Sequence, residues 1–229
     1  MIEIITSSGL GSLLGMRHAL EPDHLAAVST LVSEERSSYK AAFLGVCWGL
    51  GHTFSLVVVG LALVLLRAEM PAIVADLFEL LVAFMLVGLG LRAIYVAANQ
   101  GSVGPMHVHR HGGIVHRHAA VPAHVHVGRW TLARRPLIVG AIHGLAGSGA
   151  LTALVLTTLP SNAARLTYMV LFGLGSTVGM AALSGLLGWP LARVGAHHTF
   201  KRAVTLTIGA LSTVLGVAWG YPLVVRILS

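Results

Sequence analysis

The chain is predicted to be an all-α membrane protein with six transmembrane helices arranged as a 3+3 inverted repeat. Three observations carry that reading. The first is composition: 55% of the 229 residues are hydrophobic and 10% are charged, against roughly 25% charged in a soluble domain, and the mean hydropathy is +0.83. The second is length. Six apolar stretches, 3–33, 41–66, 72–97, 136–159, 164–189 and 203–227, are each long enough to provide the roughly 20 residues that cross a bilayer. The third is self-similarity. Gly15-Met-Arg-His18-Ala-Leu20 aligns with Gly140-Ala-Ile-His143-Gly-Leu145 at an offset of 125, and Trp48-Gly-Leu-Gly-His52-Thr53 aligns with Phe172-Gly-Leu-Gly-Ser176-Thr177 at 124. Three spans per half is an odd number, so the second copy enters the membrane upside down, a transporter architecture with its site near the midplane. The organisation is then a first repeat at 1–98, a histidine-rich loop at 99–135 and a second repeat at 136–229.

The first span contains RHALEPDHL at 17–25. Ionisable groups inside a span face the protein interior or an aqueous cavity and mark function by default. On an unbroken helix His18, Asp23 and His24 point in three directions. Pro22 removes a backbone donor and pushes Glu21 away from helical angles, so the span is predicted to be interrupted here. The opened turn gathers His18, Asp23 and His24 around one ion, with Glu21 as a further polar group on the pathway. Two imidazoles and one carboxylate suit nickel, cobalt or zinc, and do not suit calcium or magnesium. A structural network around a kink is the bland alternative.

His52 lies near the middle of the second span and reads as a fourth ligand, or as a group that orients one. Thr53 beside it is a pathway residue, and Gly49 and Gly51 allow a neighbouring helix to approach closely. Cys47 reads as core, and a single cysteine excludes an intramolecular disulfide. Glu79 in the third span is either a proton carrier or a residue of the outer rim. All eight carboxylates lie within the first 79 residues, so a cation site that needs carboxylate charge must be built by the first half. In the fourth span His143 matches His18, but Ser148 and Gly149 stand where the first half has Asp23 and His24. That half is expected to keep the bend without the ligands, leaving His143 and Ser148 as a gate, a polar lining or plain helix packing.

The loop reads MHVHRHGGIVHRHAAVPAHVHV over 106–127. His107, His109, His111, His116, His118, His124 and His126 form an acid-free, Gly/Pro-punctuated tract, read as a flexible collector of nickel, copper or zinc whose alternative is a polar linker. Basic residues set the orientation. Arg36, Lys40, Arg92, Arg110, Arg117, Arg129, Arg134, Arg135, Arg193, Lys201 and Arg202 flank the odd-numbered loops, and only Arg67, Arg165 and Arg226 flank the others. The histidine-rich loop is therefore expected in the cytoplasm and both termini outside, with no signal peptide. The net charge of +7 is this orientation signal plus contact with anionic lipid. It does not describe a nucleic-acid-binding face.

Enzyme readings fit less well. A rhomboid-like serine protease needs a histidine partner for Ala146-Gly147-Ser148-Gly149, and the sixth span has none. The H-E-x-x-H spacing of a zinc protease is absent. An intramembrane zinc-dependent hydrolase built on His18, Asp23 and His24 is not excluded by spacing.

His18-Ala-Leu-Glu-Pro-Asp23-His24 resembles the H-x4-D-H signature of the nickel/cobalt transporter family of bacterial permeases, and Leu50-Gly51-His52-Thr53 resembles that family's next-helix motif. The resemblance is strong over roughly 12–60. Beyond it, HGLAGSGALTAL at 143–154 is similar to the short six-span, urease-accessory-like branch, without the second-half acids of the longer permeases. The resemblance implies metal binding by His18, Asp23, His24 and His52 on an uptake path through the inner membrane, with Ni2+ or Co2+ as cargo and no prosthetic group. It also implies cytoplasmic nickel chaperones or urease or hydrogenase maturation proteins as partners. A related efflux branch pairs similar motifs with a histidine-rich loop, which leaves direction open.

Overall fold

The computed structural model describes residues 2–33, 35, 37–66, 68–99, 107–111, 114–118, 124–127, 130–159, 161–194 and 198–229, without the side chains of 2–8, 107–132, 148–158, 191, 192, 194 and 198. The helices are α1 (Ile2–His18), α2 (Pro22–Val32), α3 (Ser38–Leu66), α4 (Ala72–Ala98), α5 (Arg134–Thr158), α6 (Asn162–Val194) and α7 (His198–Leu228). α3, α4, α6 and α7 are each long and apolar enough to cross a membrane. Large apolar side chains such as Leu65, Phe84, Leu186 and Tyr221 are exposed on them, as in a protein whose solvent is lipid.

The expected first span is two helices, α1 and α2, and the break falls on the ionisable motif. Leu20 N donates to the Arg17 carbonyl at 2.9 Å and Glu21 N to the His18 carbonyl at 3.1 Å, the tight three-residue spacing of a closing helix end. Glu21 is extended, with φ −65° and ψ 149°, the conformation that a following proline favours. Pro22 then opens α2 at a position where its missing N–H costs nothing.

The expectation of a matching bend in the second half is not met. α5 runs unbroken from Arg134 to Thr158. At the offset of the repeat, Gly147 occupies the place of Pro22. Glycine weakens a helix by only about 1 kcal/mol and keeps its N–H, whereas proline costs about 3 kcal/mol and removes one. The all-α expectation is corrected in the histidine-rich tract, whose described residues form strands. β1 (His107–His111) pairs antiparallel with β2 (Ile114–His118), and β3 (His124–Val127) pairs with β4 (Trp130–Ala133). Histidines alternating with valines follow the two-residue period of a strand, and that signal stood in the sequence.

Packing runs across the halves. α3 lies against α6 and α5, α1 against α6, and α4 against α7. Small residues let backbones meet. A Cβ on Gly15 would overlap the Phe172 carbonyl, and one on Gly140 would overlap the Trp48 carbonyl. These contacts are the same contact with the halves exchanged, because Gly140 matches Gly15 and Phe172 matches Trp48. Gly51 against the Leu137 carbonyl and Gly175 against the Ser12 carbonyl form a second exchanged pair. Thr53 and its match Thr177 meet each other, with hydroxyls 3.0 Å apart. A buried cluster that includes Ala19, Ala27, Val28, Trp48, Leu86 and Met180 forms the apolar core.

Candidate metal centre

Four elements supply the site. His18 is the last residue of α1, Asp23 and His24 stand in the first turn of α2, His52 lies in the middle of α3, and His143 lies within α5. The break decides the geometry, since it turns Asp23 and His24 back toward His18. His24, His52 and His143 are buried, while the side chains of His18 and Glu21 are 15% and 54% exposed. The rings form one group: centroids are 4.4 Å apart for His18 and His24, 5.3 Å for His18 and His52, 5.5 Å for His24 and His52, and 3.9 Å for His24 and His143. Phe172 stands 5.3 Å from His18, and Trp48 stands 5.8 Å from His143. This is another pair of contacts with the halves exchanged, and it walls the cluster with aromatic carbon.

Asp23 is the hub. Its Oδ1 accepts the backbone N–H of His24 at 2.9 Å and lies 3.1 Å from His24 Nδ1. Its Oδ2 lies 2.8 Å from His143 Nε2. The amide is free to donate because the first turn of a helix has no carbonyl behind it. His18 Nδ1 lies 3.0 Å from Glu21 Oε1. With ring hydrogens directed at these carboxylates, Nε2 of His18, Nε2 of His24 and Nδ1 of His143 keep their lone pairs. All three atoms, together with both nitrogens of His52, are buried and have no hydrogen-bond partner among the described residues. Carboxylates behind imidazoles in this way set the tautomer and orient the lone pair toward a cation.

Two trios have ligand atoms within 4.8 Å of one another: His18, His24 and His52, and Asp23, His24 and His143. The four residues singled out as ligands in the sequence therefore do meet, with Asp23 and His52 in different trios that share His24. His143, read as a gate or lining, stands inside the cluster. No local pattern reveals this, since 120 residues separate it from Asp23; its alignment with His18 is the one signal that pointed there. Thr53 lies elsewhere: its hydroxyl donates to the Gly173 carbonyl at 2.8 Å, at the α3–α6 contact. Glu79 is also remote. It lines a cavity of about 400 Å³ with Trp219, Pro222 and Arg226, and Arg226 donates to Asp76 at 2.9 Å. The side chains of Ser148 and of His107, His109, His111, His116, His118, His124 and His126 lie outside the described residues.

Comparison with known proteins places the chain. It is 32% identical over 222 residues to the urease accessory protein UreH of Bacillus sp. (strain TB-90), covering 97% of this chain and 93% of that one. It is 27% identical to two chloroplast proteins of Arabidopsis thaliana, FOR GROWTH AND FERTILITY 1 and 2, over 80% and 81% of this chain but only 50% and 48% of theirs. No protein-family model matches, and no solved structure matches. With nearly the full length of both sequences aligned, this membrane protein belongs to the family of the urease accessory protein UreH.

Proposed function

We propose that the protein transports a divalent transition-metal ion across the cytoplasmic membrane, with Ni2+ as the preferred cargo and Co2+ second, through the His/Asp cluster at mid-membrane. The observation that carries this reading is the convergence of His18, His24 and His52: each has a buried ring nitrogen without a hydrogen-bond partner among the described residues, and ligand atoms of the three lie within 4.8 Å of one another. Buried polar atoms without partners cost free energy, and a dication that imidazole favours relieves that cost while magnesium and calcium, which prefer oxygen, do not. Asp23 supplies the negative charge, and with Glu21 it holds the rings in place.

The contacts with exchanged halves support two inverted three-helix repeats, 1–98 and 136–229, joined by the 99–135 loop, with six crossings in all. The asymmetry of basic residues supports external termini and a cytoplasmic histidine tract, which receives the ion and passes it to nickel chaperones or to urease or hydrogenase maturation proteins. Each of these ligand and topology assignments extends the resemblance to nickel/cobalt permeases.

The test is radioactive-nickel uptake in cells expressing the protein. His18→Ala, His24→Ala and His52→Ala should each lower initial uptake by at least about 100-fold, the upper range for a lost metal-site interaction, at unchanged amounts in the membrane. Unchanged uptake in all three rejects the proposal. Higher nickel content in the variants than in the native protein reverses the direction to export. Competition by excess Co2+ ranks the two ions.

A further inference from the structure

We infer that Asp23, His24 and His143 form a second ion position, and that the cargo passes from the His18/His52 side to the His143 side through the ring of His24. The inference rests on the transport reading above.

His24 belongs to both trios. Its Nδ1 lies on the Asp23 side, 3.1 Å from Oδ1, and its Nε2 has no partner, so the two nitrogens of one ring serve the two positions. Asp23 Oδ2 and His143 Nε2 are 2.8 Å apart. An ion that binds nitrogen and oxygen at about 2.1 Å each holds adjacent ligands at about this separation, so little rearrangement is needed for it to replace the shared hydrogen. That hydrogen moves to His143 Nδ1 and the Nδ1 hydrogen of His24 moves to its Nε2, both of them buried and unpartnered among the described residues, so both rings stay neutral. The ring of His143 is tilted against that of His24, with centroids 3.9 Å apart, and comes from the other half of the chain. A relative movement of the halves therefore opens or closes the second position while leaving the first position's His18, His24 and His52 together on α1, α2 and α3.

Sharing His24 makes the positions alternatives, since two dications on one ring repel strongly in a site shielded from water. The first position offers three imidazoles, and the second offers two imidazoles and a carboxylate. The ligand set thus identifies where the ion sits.

The experiment uses the full chain in lipid nanodiscs with Co2+ as probe. Binding is measured by equilibrium titration, and the ligands are counted by X-ray absorption. The native protein should bind one Co2+. His18→Gln/His52→Gln should still bind one, more weakly, with fewer nitrogen and more oxygen ligands, and adding His143→Gln should abolish that binding. His143→Gln alone should bind Co2+ within tenfold of native affinity yet lose more than tenfold in uptake. If the native protein binds Co2+ and the double variant, folded by circular dichroism, binds none, the second position is rejected and the transport reading stands. If His143→Gln leaves binding by the double variant unchanged, His143 is only an orienting residue and the inference is likewise rejected. If the native protein binds neither Co2+ nor Ni2+, the transport reading itself falls, and this inference with it.

Discussion

In the first half of the chain the helix that reaches the cluster is broken, Ile2–His18 followed by Pro22–Val32, whereas its counterpart in the second half, α5, is continuous from Arg134 to Thr158. The broken half contributes His18 from one helix end and Asp23 and His24 from the next helix start, with a spare amide to hold the carboxylate. The continuous half contributes one residue, His143. The difference shows what a helix break does to a buried site. It concentrates several polar side chains and unsatisfied backbone groups in one place, where they can be satisfied by each other or by an ion. A continuous helix spends its backbone hydrogen bonds internally and presents one side chain per turn to a given neighbour.

Closing the break should have the largest effect on this contrast. Pro22→Ala restores a donor and favours a continuous helix by up to about 3 kcal/mol, which would turn Asp23 about 140° away from His18 at 100° per residue. Nickel uptake should fall at least tenfold although every proposed ligand is retained, and Co2+ binding by the purified protein should fall with it. Native-like uptake would show that the tertiary contacts, and not the proline, hold the turn open.

An intermediate effect is expected from the exchanged contacts. Gly15→Leu and Gly140→Leu each force a side chain into a carbonyl of the opposite half, at Phe172 and Trp48. Overpacking of this kind costs about 1–3 kcal/mol. The two variants should lower thermal stability in detergent by similar amounts if the halves are built alike. A loss confined to one of them would show that the resemblance between the halves stops at the sequence.

The smallest effect should come from the loop. Deleting 107–126 should leave most of the initial nickel uptake and lower the metal retained by the cells, as measured by total nickel after washing. Imidazoles bind metal only when neutral, so the tract's contribution should be present above pH 6.5 and fade as the pH falls through about 6.5. Complete loss of uptake would move the loop into the transport path itself.

Much of this molecule could be read from local pattern. The long apolar stretches, the interruption at Pro22 and the chemistry of His18, Asp23, His24 and His52 all rest on short-range effects: helix length against bilayer thickness, a missing N–H, the softness of imidazole. The misreadings have equally physical origins. The matching bend in the second half was inferred from alignment, but a glycine does not force what a proline forces. The strands of the loop follow from a two-residue alternation, which composition alone does not express. Thr53 stood next to a candidate ligand in sequence, yet adjacent residues on a helix face different neighbours, and its hydroxyl serves the α3–α6 contact.

The sequence was sufficient for a membrane-type chain and for the helix break at Pro22, because these follow from composition and from proline's missing N–H. The partition of the cluster into two trios was beyond its reach, as was the place of His143, 2.8 Å from Asp23. Those depend on how closely two helices pack from opposite halves of the chain, and that spacing is set by glycines meeting carbonyls far from the histidines they bring together.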